Sequence, residues 1–427
     1  MTREVFFGAL NADSALWSDF DSICAFGGRL QGTPSCDAAF DFVAARMAAI
    51  GPVRDAPTRY NGWTFGDLRI TTPGGVEIPA MPLVGSVSTP GDGLELEVLD
   101  LGRGTPEDVA AAGEAVRGKA VLLEHEYAFA TDTIHRRYKL RAAVEAGAAA
   151  VIMVQGIPGI GGVSGGANGC PLPGFGIGIE GAQQLLHAGR GHFFLRGQHH
   201  VATTRNLILD FPGRGAGRVV LTAHLDGHAP GESAIDNASG VAGLLALARA
   251  IVPLLGECGL MVCVFGAEEW SLSGSRAWLG GLPPAEIAAM TVNLNLDSIV
   301  GSPRLTALTS GFPVLAEEIG RSGAPLAIRD VLMVNSDHAN FAAKGVPALR
   351  LIAGFNEPDC AVSRLLTAAD TRVLVSEPEL LGGTGIAGEV LWHLLSLPAA
   401  AAADLRRDAA DAGPLVSLLA PLPSSSM

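Results

Sequence analysis

Between residues 219 and 297, three short apolar runs each end in acidic or imidazole side chains, a pattern that few folds accommodate. Val219-Val220-Leu221-Thr222-Ala223 runs into His224-Leu225-Asp226, Leu260 to Phe265 runs into Glu268-Glu269, and Val292 to Leu296 runs into Asp297. After the first run, Asp236-Asn237-Ala238-Ser239-Gly240 opens an apolar helical pattern. Short apolar runs mark strands buried on both faces, and open α/β sheets gather ligand sites beyond the carboxyl ends of such strands. An imidazole and several carboxylates arriving at such ends outline a metal site.

The rest of the chain narrows the class. At 427 residues it exceeds one ordinary domain, and its formal net charge of −14 makes nucleic acid and anionic membrane poor partners. Charged residues make up only 17%, with abundant Ala and Gly, which suits a compact fold rather than a disordered one. The six cysteines form no CxxC pair and no disulfide framework; Cys258 and Cys263 read as core. The N-terminus does not read as a secretory signal, and the apolar stretch Gly147 to Val163 is broken by Pro158 and glycines. The expectation is a cytoplasmic protein without membrane contact; oligomeric state leaves no mark.

In chain order, Ser35 to Ile50 reads as a helix, with Phe40, Val43, Ala44 and Met47 on one face between Pro34 and Gly51. Residues 60 to 85 read as short strands punctuated by Pro-Gly-Gly. Between about 90 and 202 the character changes. Leu94 to Leu99 alternates like an exposed strand, Gly118 to Leu123 and Ala149 to Val154 read as strands, Lys139 to Ala146 as a helix, and Gly156 to Gly178 as a glycine-rich loop. No acidic or imidazole cluster ends a strand there, so the segment reads as a β-rich domain inserted in a larger one. The α/β pattern resumes at about 203 and runs to 398, with an amphipathic helix over Gly240 to Val252, helices at Ser273 to Leu279 and Val314 to Gly320, and a strand at Gly345 to Ile352. The tail 399–427, with its Ala run and Pro-Ser-Ser-Ser, is low in complexity. The domains expected are therefore 1–85 with 203–398, the insert 90–202, and the tail.

A hydrolytic metal centre needs ligands of this hardness, an open coordination position and a base that is not itself a ligand. His224 supplies an imidazole, and Asp226, two residues on, could orient it as an outer carboxylate. Asp236 at a helix start reads either as a ligand or as a plain N-cap. Adjacent Glu268 and Glu269 cannot share one role: either they are a solvated pair, or one ligates while the other is the base. Asp297 reads as a ligand or a helix cap. Taken in order, the set favours the metal.

These motifs resemble those of the co-catalytic zinc aminopeptidases, the family of aminopeptidase Y, the bacterial leucyl aminopeptidases and glutamate carboxypeptidase. The resemblance rests on His224-Leu225-Asp226, Asp236 to Gly240, Ala267-Glu268-Glu269 with Gly274-Ser275, and Asn295-Leu296-Asp297. It extends to Ser336-Asp337-His338-Ala339-Asn340-Phe341 with Gly345-Val346-Pro347, and to Gly28-Arg29-Leu30-Gln31-Gly32-Thr33-Pro34. The segment with Gly118-Lys119-Ala120-Val121 and Gly147 to Ile152 is similar to the protease-associated domain inserted in several members. The resemblance implies a zinc-exopeptidase fold, a mixed central sheet flanked by helices, acting on a small peptide or aminoacyl amide. It also implies one or two zinc ions: His224 and Asp297 on one, Asp236 bridging, Glu269 on the other. Catalysis would go through metal-bound water, with Glu268 as general base, Asp226 beside it in the catalytic set, and His338 lining the site.

Two departures stand out. The family's last ligand is the His of a His-Thr-x-x-Asp-Thr block, which here reads Leu366-Thr367-Ala368-Ala369-Asp370-Thr371. Leucine cannot coordinate, so the Glu269 zinc lacks its nitrogen ligand unless His338, His228, Asp359 or Cys360 reaches in. The second is a tyrosine that some members use on the tetrahedral intermediate; this chain has no Tyr beyond Tyr138, and Met333 lies near the expected place. An impaired relative serving as a binding or scaffolding protein is therefore the alternative to a peptidase.

Overall fold

The computed structural model describes residues 2–411. The chain divides into two compact units: residues up to Tyr60 with Ala202–Leu365 and the described residues from Asp370 on, and Asn61–Val201 with Leu366–Ala369.

The first unit is built on an eight-stranded mixed sheet. Its order is Arg54–Asp55, Asn206–Phe211, Gly259–Phe265, Arg218–His224, Met290–Leu296, Ala348–Ala353, Leu305–Leu308, Leu326–Arg329. The four central members, from Gly259–Phe265 to Ala348–Ala353, run parallel. Asn206–Phe211 and Leu305–Leu308 pair antiparallel to either side of them. Every residue of Gly259–Phe265, Met290–Leu296 and Ala348–Ala353 is buried, as continuous apolar runs in a parallel sheet require.

The helix Ser239–Ile251 is not amphipathic in place: all but Arg249 of its residues are buried. Ala15–Ala25, Glu377–Leu395 and Arg3–Asn11 pack around it, which makes it the core helix of the unit. Among the described residues, Ala234–Leu254 is the segment long and apolar enough to cross a membrane, and 78% of its most apolar 18-residue stretch is buried within the fold. Pro34–Ala48 begins as the sequence indicates, with Pro34 in the first turn and the Thr33 hydroxyl accepting from Cys36 N.

The second unit holds a seven-stranded sheet ordered Thr58–Thr71, Arg190–Thr204, Leu94–Asp100, Ala120–His125, Ala150–Gln155, Gly174–Gly178, Ala80–Pro82. Two expectations change here. The segment 61–85, assigned above to the first domain, belongs to this unit, because one long strand and the Ala80–Pro82 strand pair into its sheet. Gly174–Gly178, read as loop, is a fully buried strand: its glycines lie so close to neighbouring backbone that a Cβ on Gly176 would meet the Val163 carbonyl oxygen at 1.7 Å. Within the tail, Ala399–Asp404 is helical; the residues from 412 to 427 lie outside those described.

Candidate metal centre

His224 ends its strand, Glu268 follows the Gly259–Phe265 strand, and Asp297 follows Met290–Leu296. The three strands are parallel neighbours, with His224 in register with Phe265 and Thr222 with Asn295. Their carboxyl ends therefore deliver these side chains to one edge of the sheet. Ligand atoms of His224, Glu268 and Asp297 all lie within 4.8 Å of one another, and all three residues are buried.

Asp236 reaches the same place on the loop after His224. Its carboxylate Oδ1 is 3.1 Å from His224 Nε2, and Asp297 Oδ1 is 3.7 Å from the same nitrogen. A cis peptide bond joins Asp236 to Asn237, and Asp236 does not cap the helix that follows. The capping oxygen belongs to Asn237, whose Oδ1 accepts from Gly240 N and from Ser298 N, while its Nδ2 donates to the Leu296 carbonyl. Asn237 thus ties the Asp236 loop to the strand end that carries Asp297. Gly240 is required at this junction, since a Cβ there would sit 2.4 Å from Leu296 O.

His224 Nδ1 lies 3.0 Å from the Asp226 backbone carbonyl, which can only accept. Nδ1 therefore carries the proton, and in the neutral ring Nε2 presents a lone pair to two carboxylates. Burial works against a charge on this imidazole, but Glu268, Asp236 and Asp297 outweigh it and hold its pKa well above the ordinary value. The nitrogen and its carboxylates call for a cation, whether proton or metal.

The Asp226 carboxylate does something other than expected. Its Oδ1 is 3.9 Å from His224 Nδ1, whereas its two oxygens accept from the backbone N–H groups of Glu268 and Glu269, at 3.1 and 3.2 Å. The backbone carbonyl orients the imidazole; the side chain holds the turn that aims the two glutamates. Burial raises its pKa to about 6, against the pull of His224.

The Gly28–Pro34 motif clamps both loops. Fully buried Arg29 donates to the carbonyls of Leu225, Glu232 and Ser233 at 2.7–2.9 Å, and Gln31 Oε1 accepts from Ala267 N and the Thr204 hydroxyl. The other motifs interlock likewise. Ser275 donates to the Asp337 carboxylate, Asn340 Nδ2 donates to Ser275 Oγ, and Asn295 Nδ2 donates to Ser336 Oγ. His338 is buried among these residues; burial and the Arg350 charge push its imidazole down to about 3.

Sequence reading missed two groups. Arg350 Nη2 lies 3.1 Å from Asp297 Oδ1; burial alone would raise Asp297, but Arg350 and His224 hold it well below the usual range. An arginine inside the apolar strand Ala-Leu-Arg-Leu-Ile-Ala was the available signal. Asp370 accepts from Ile235 N at 2.8 Å and Asp236 N at 3.3 Å, fixing the Asp236 backbone, and burial raises its pKa to about 7. Leu366 belongs to the second unit, where it packs against an apolar cluster and its carbonyl accepts from Ser164 N. Of the four candidate replacements, His228 lies on Glu269, Nε2 to Oε2 2.7 Å; Asp359 is exposed and Cys360 half-buried.

The residues present fit a divalent metal. Buried Asp236 Oδ1 and Glu269 Oε1 have no hydrogen-bond partner, an arrangement that costs free energy unless a cation completes it. Imidazole nitrogen with carboxylate oxygen is a zinc donor set.

Comparison with known proteins agrees. The profile of Peptidase family M28 matches residues 206–372, and that of the PA domain matches residues 81–185. Leupeptin-inactivating enzyme 1 of Streptomyces exfoliatus is 34% identical over 161 residues, 36% of each chain. The probable lipoprotein aminopeptidase LpqL of Mycobacterium tuberculosis is 25% identical over 393 residues, 84% of this chain and 73% of that one. Matches to the first three curated relatives span 36%, 56% and 33% of those proteins' lengths. Among solved structures, a zinc aminopeptidase from Bacillus subtilis shares the fold with a TM-score of 0.72 at 21% identity, over 88% of this chain and 93% of that one. A peptidase M28 precursor from Shewanella amazonensis does so at 0.74 and 20%, over 93% and 96%. Residues 206–372 thus match peptidase family M28, and residues 81–185 match the PA domain.

Proposed function

We propose that the chain is a zinc-dependent aminopeptidase, hydrolysing the N-terminal bond of a small peptide or an aminoacyl amide. The observation that carries this reading is the convergence of His224, Asp236 and Asp297 on one point at the carboxyl edge of the sheet, with a lone pair and two carboxylates facing each other. The aminopeptidase names of relatives support the substrate class. Zinc there would supply a Lewis acid that polarises the scissile carbonyl and acidifies water.

The protein's own groups provide the rest. Glu268 is buried within reach of His224 and Asp297; in this reading it stays out of the ligand set, takes a proton from water and returns it to the leaving amine. Burial, reinforced by Glu269 and Asp297 against the pull of His224, pushes its pKa well up, favouring proton acceptance. Asp226 sets the aim of Glu268 through the backbone, and is a positioning residue. Arg350 balances the charge of Asp297.

Hydrolysis of a panel of aminoacyl amides by the zinc-loaded chain, with metal content measured alongside, tests the reading. Turnover that depends on zinc supports it; a chain that holds no zinc and turns over none of the panel defeats it. That outcome would favour the second reading, a binding protein that keeps the fold, for which Leu366 in place of the expected imidazole is the one specific observation.

A further inference from the structure

We infer that His228 supplies the imidazole of a second zinc position, with Glu269 and Asp236, in place of the ligand missing at Leu366. The inference rests on the zinc reading above and adds a residue to it.

His228 lies four residues after His224, on the loop that later carries Asp236. Its side chain is 3% exposed, and its Nε2 faces Glu269 Oε2. The second oxygen of that carboxylate, Oε1, is buried and accepts no hydrogen bond. Glu269 therefore keeps an unused acceptor beside an imidazole, and its charge and those of Asp236 and Asp297 bear on one another. An ion pair alone would leave that oxygen desolvated without compensation; a cation shared by Glu269 and His228 removes the deficit.

The distance is close to what zinc needs. Bonds of 2.0–2.2 Å at a tetrahedral angle set neighbouring nitrogen and oxygen ligands about 3.4 Å apart. The observed 2.7 Å would open by roughly 0.7 Å, a small rotation of two side chains.

The aim of His228 is built into the backbone. Its N–H donates to Ser233 Oγ, Arg29 grips the carbonyls of Leu225, Glu232 and Ser233 around it, and its own carbonyl lies so near Gly28 that a Cβ there would approach to 2.2 Å. A loop pinned at so many points is not spare surface. The other candidates lack such placement: the Arg350 cation acts on His338, and Asp359 is exposed.

The alternative role is plain hydrogen bonding, with His228 only orienting Glu269. Glutamine separates the two, because its amide donates a hydrogen bond but is a weak zinc ligand. The full chain, stripped of metal, is titrated with zinc by calorimetry, with bound metal counted by mass spectrometry. Circular dichroism and thermal unfolding check each variant. The wild type is expected to take two zinc ions. His228→Ala and His228→Gln keep one, the other weakened more than about 100-fold, since losing even an outer partner of a ligand costs 10–100-fold. His228→Cys, which restores a zinc-binding group, regains the second ion and covers the case in which the alanine variant fails to fold. Two ions bound undiminished by His228→Gln would overturn the inference and leave only the hydrogen bond. A wild type that takes a single zinc yet hydrolyses amides also overturns it while sparing the aminopeptidase reading; one that takes none defeats both.

Discussion

Each unit has four parallel strands at the heart of its sheet, and in each a charged cluster lies just beyond the carboxyl end of a central strand. In the PA unit, Glu126 follows the strand Ala120–His125 and meets Lys139, whose ammonium is fully buried. Lys139 Nζ donates to the carbonyls of Arg103 and Glu124 and to Glu126 Oε1, at 2.6–2.8 Å. Glu126 accepts further from the Arg103 guanidinium and from Ile134 N. In the peptidase unit the corresponding cluster is mostly acidic, and Asp236 Oδ1 and Glu269 Oε1 are left without donors. Buried charge that satisfies itself holds a fold together, whereas buried charge that does not satisfy itself is held in place by the fold for something else to complete. The difference teaches how to tell a structural ion cluster from a ligand site when both stand at strand ends.

The largest expected effect falls on the incomplete cluster and touches chemistry alone. Glu268→Gln removes the proposed base while keeping its shape, and should lower kcat by about 10²- to 10⁴-fold. Zinc content should stay unchanged and the unfolding temperature should not fall, since a buried carboxylate among carboxylates is no stabiliser. A variant that retained full turnover on aminoacyl amides would remove Glu268 from the base role.

The complete cluster should respond in the opposite way. Lys139→Met takes the Lys139 donor from two carbonyls and from Glu126, which keeps Arg103 and Ile134 N, and breaking a buried pair from one side costs about 3–5 kcal/mol. Urea unfolding monitored on the full chain measures it; a loss below about 1 kcal/mol, the level of an exposed pair, would break the comparison.

Why one cluster was legible in the sequence and the other was not follows from chain spacing. His224 and Asp297 directly follow apolar runs and Glu268 comes within three residues of one, so strand periodicity alone predicts that they meet. Asp226 also follows such a run, but nothing in the sequence says that its carboxylate turns to the Glu268 and Glu269 amides while its carbonyl takes the imidazole. Arg29, Asp370 and Arg350 act on backbone groups or on Asp297 far away in sequence, and long-range side-chain partners leave no local pattern. The boundary near residue 61 failed for a related reason: a strand's own residues do not declare which sheet it joins. The buried strand Gly174–Gly178 was hidden because its glycines answer to the backbone packed against them.

Proton titration sharpens the comparison further. Burial alone would raise Glu126, but the Arg103 and Lys139 hydrogen bonds and Ile134 N hold it down at about 2, against the usual 4.5. A carboxylate depressed in the folded state contributes stability that is present above the unfolded value and is lost as pH falls. The window therefore runs from about pH 4.5 down to 2, with about 3 kcal/mol at stake. Denaturant midpoints taken across that window should decline in the wild type, and the decline should be shallower in Glu126→Gln.

Zinc itself gives the smallest of the expected effects and the one that bears most directly on the incomplete cluster. A ligand that binds only the folded chain stabilises it by about 2.7 kcal/mol when its free concentration is a hundred times Kd. Added zinc should therefore raise the unfolding temperature and a chelator should lower it. Asp236→Ala, which removes the carboxylate beside His224 whose charge also bears on Glu269, should leave the chain indifferent to both. The zinc-dependent gain should shrink as pH falls, starting above the ordinary imidazole range because the surrounding carboxylates hold the His224 pKa up, since a proton on His224 Nε2 competes for the lone pair that the metal needs. A gain that held constant over that fall would mean that zinc binds elsewhere, and that protons alone compensate the acidic cluster at the end of the sheet.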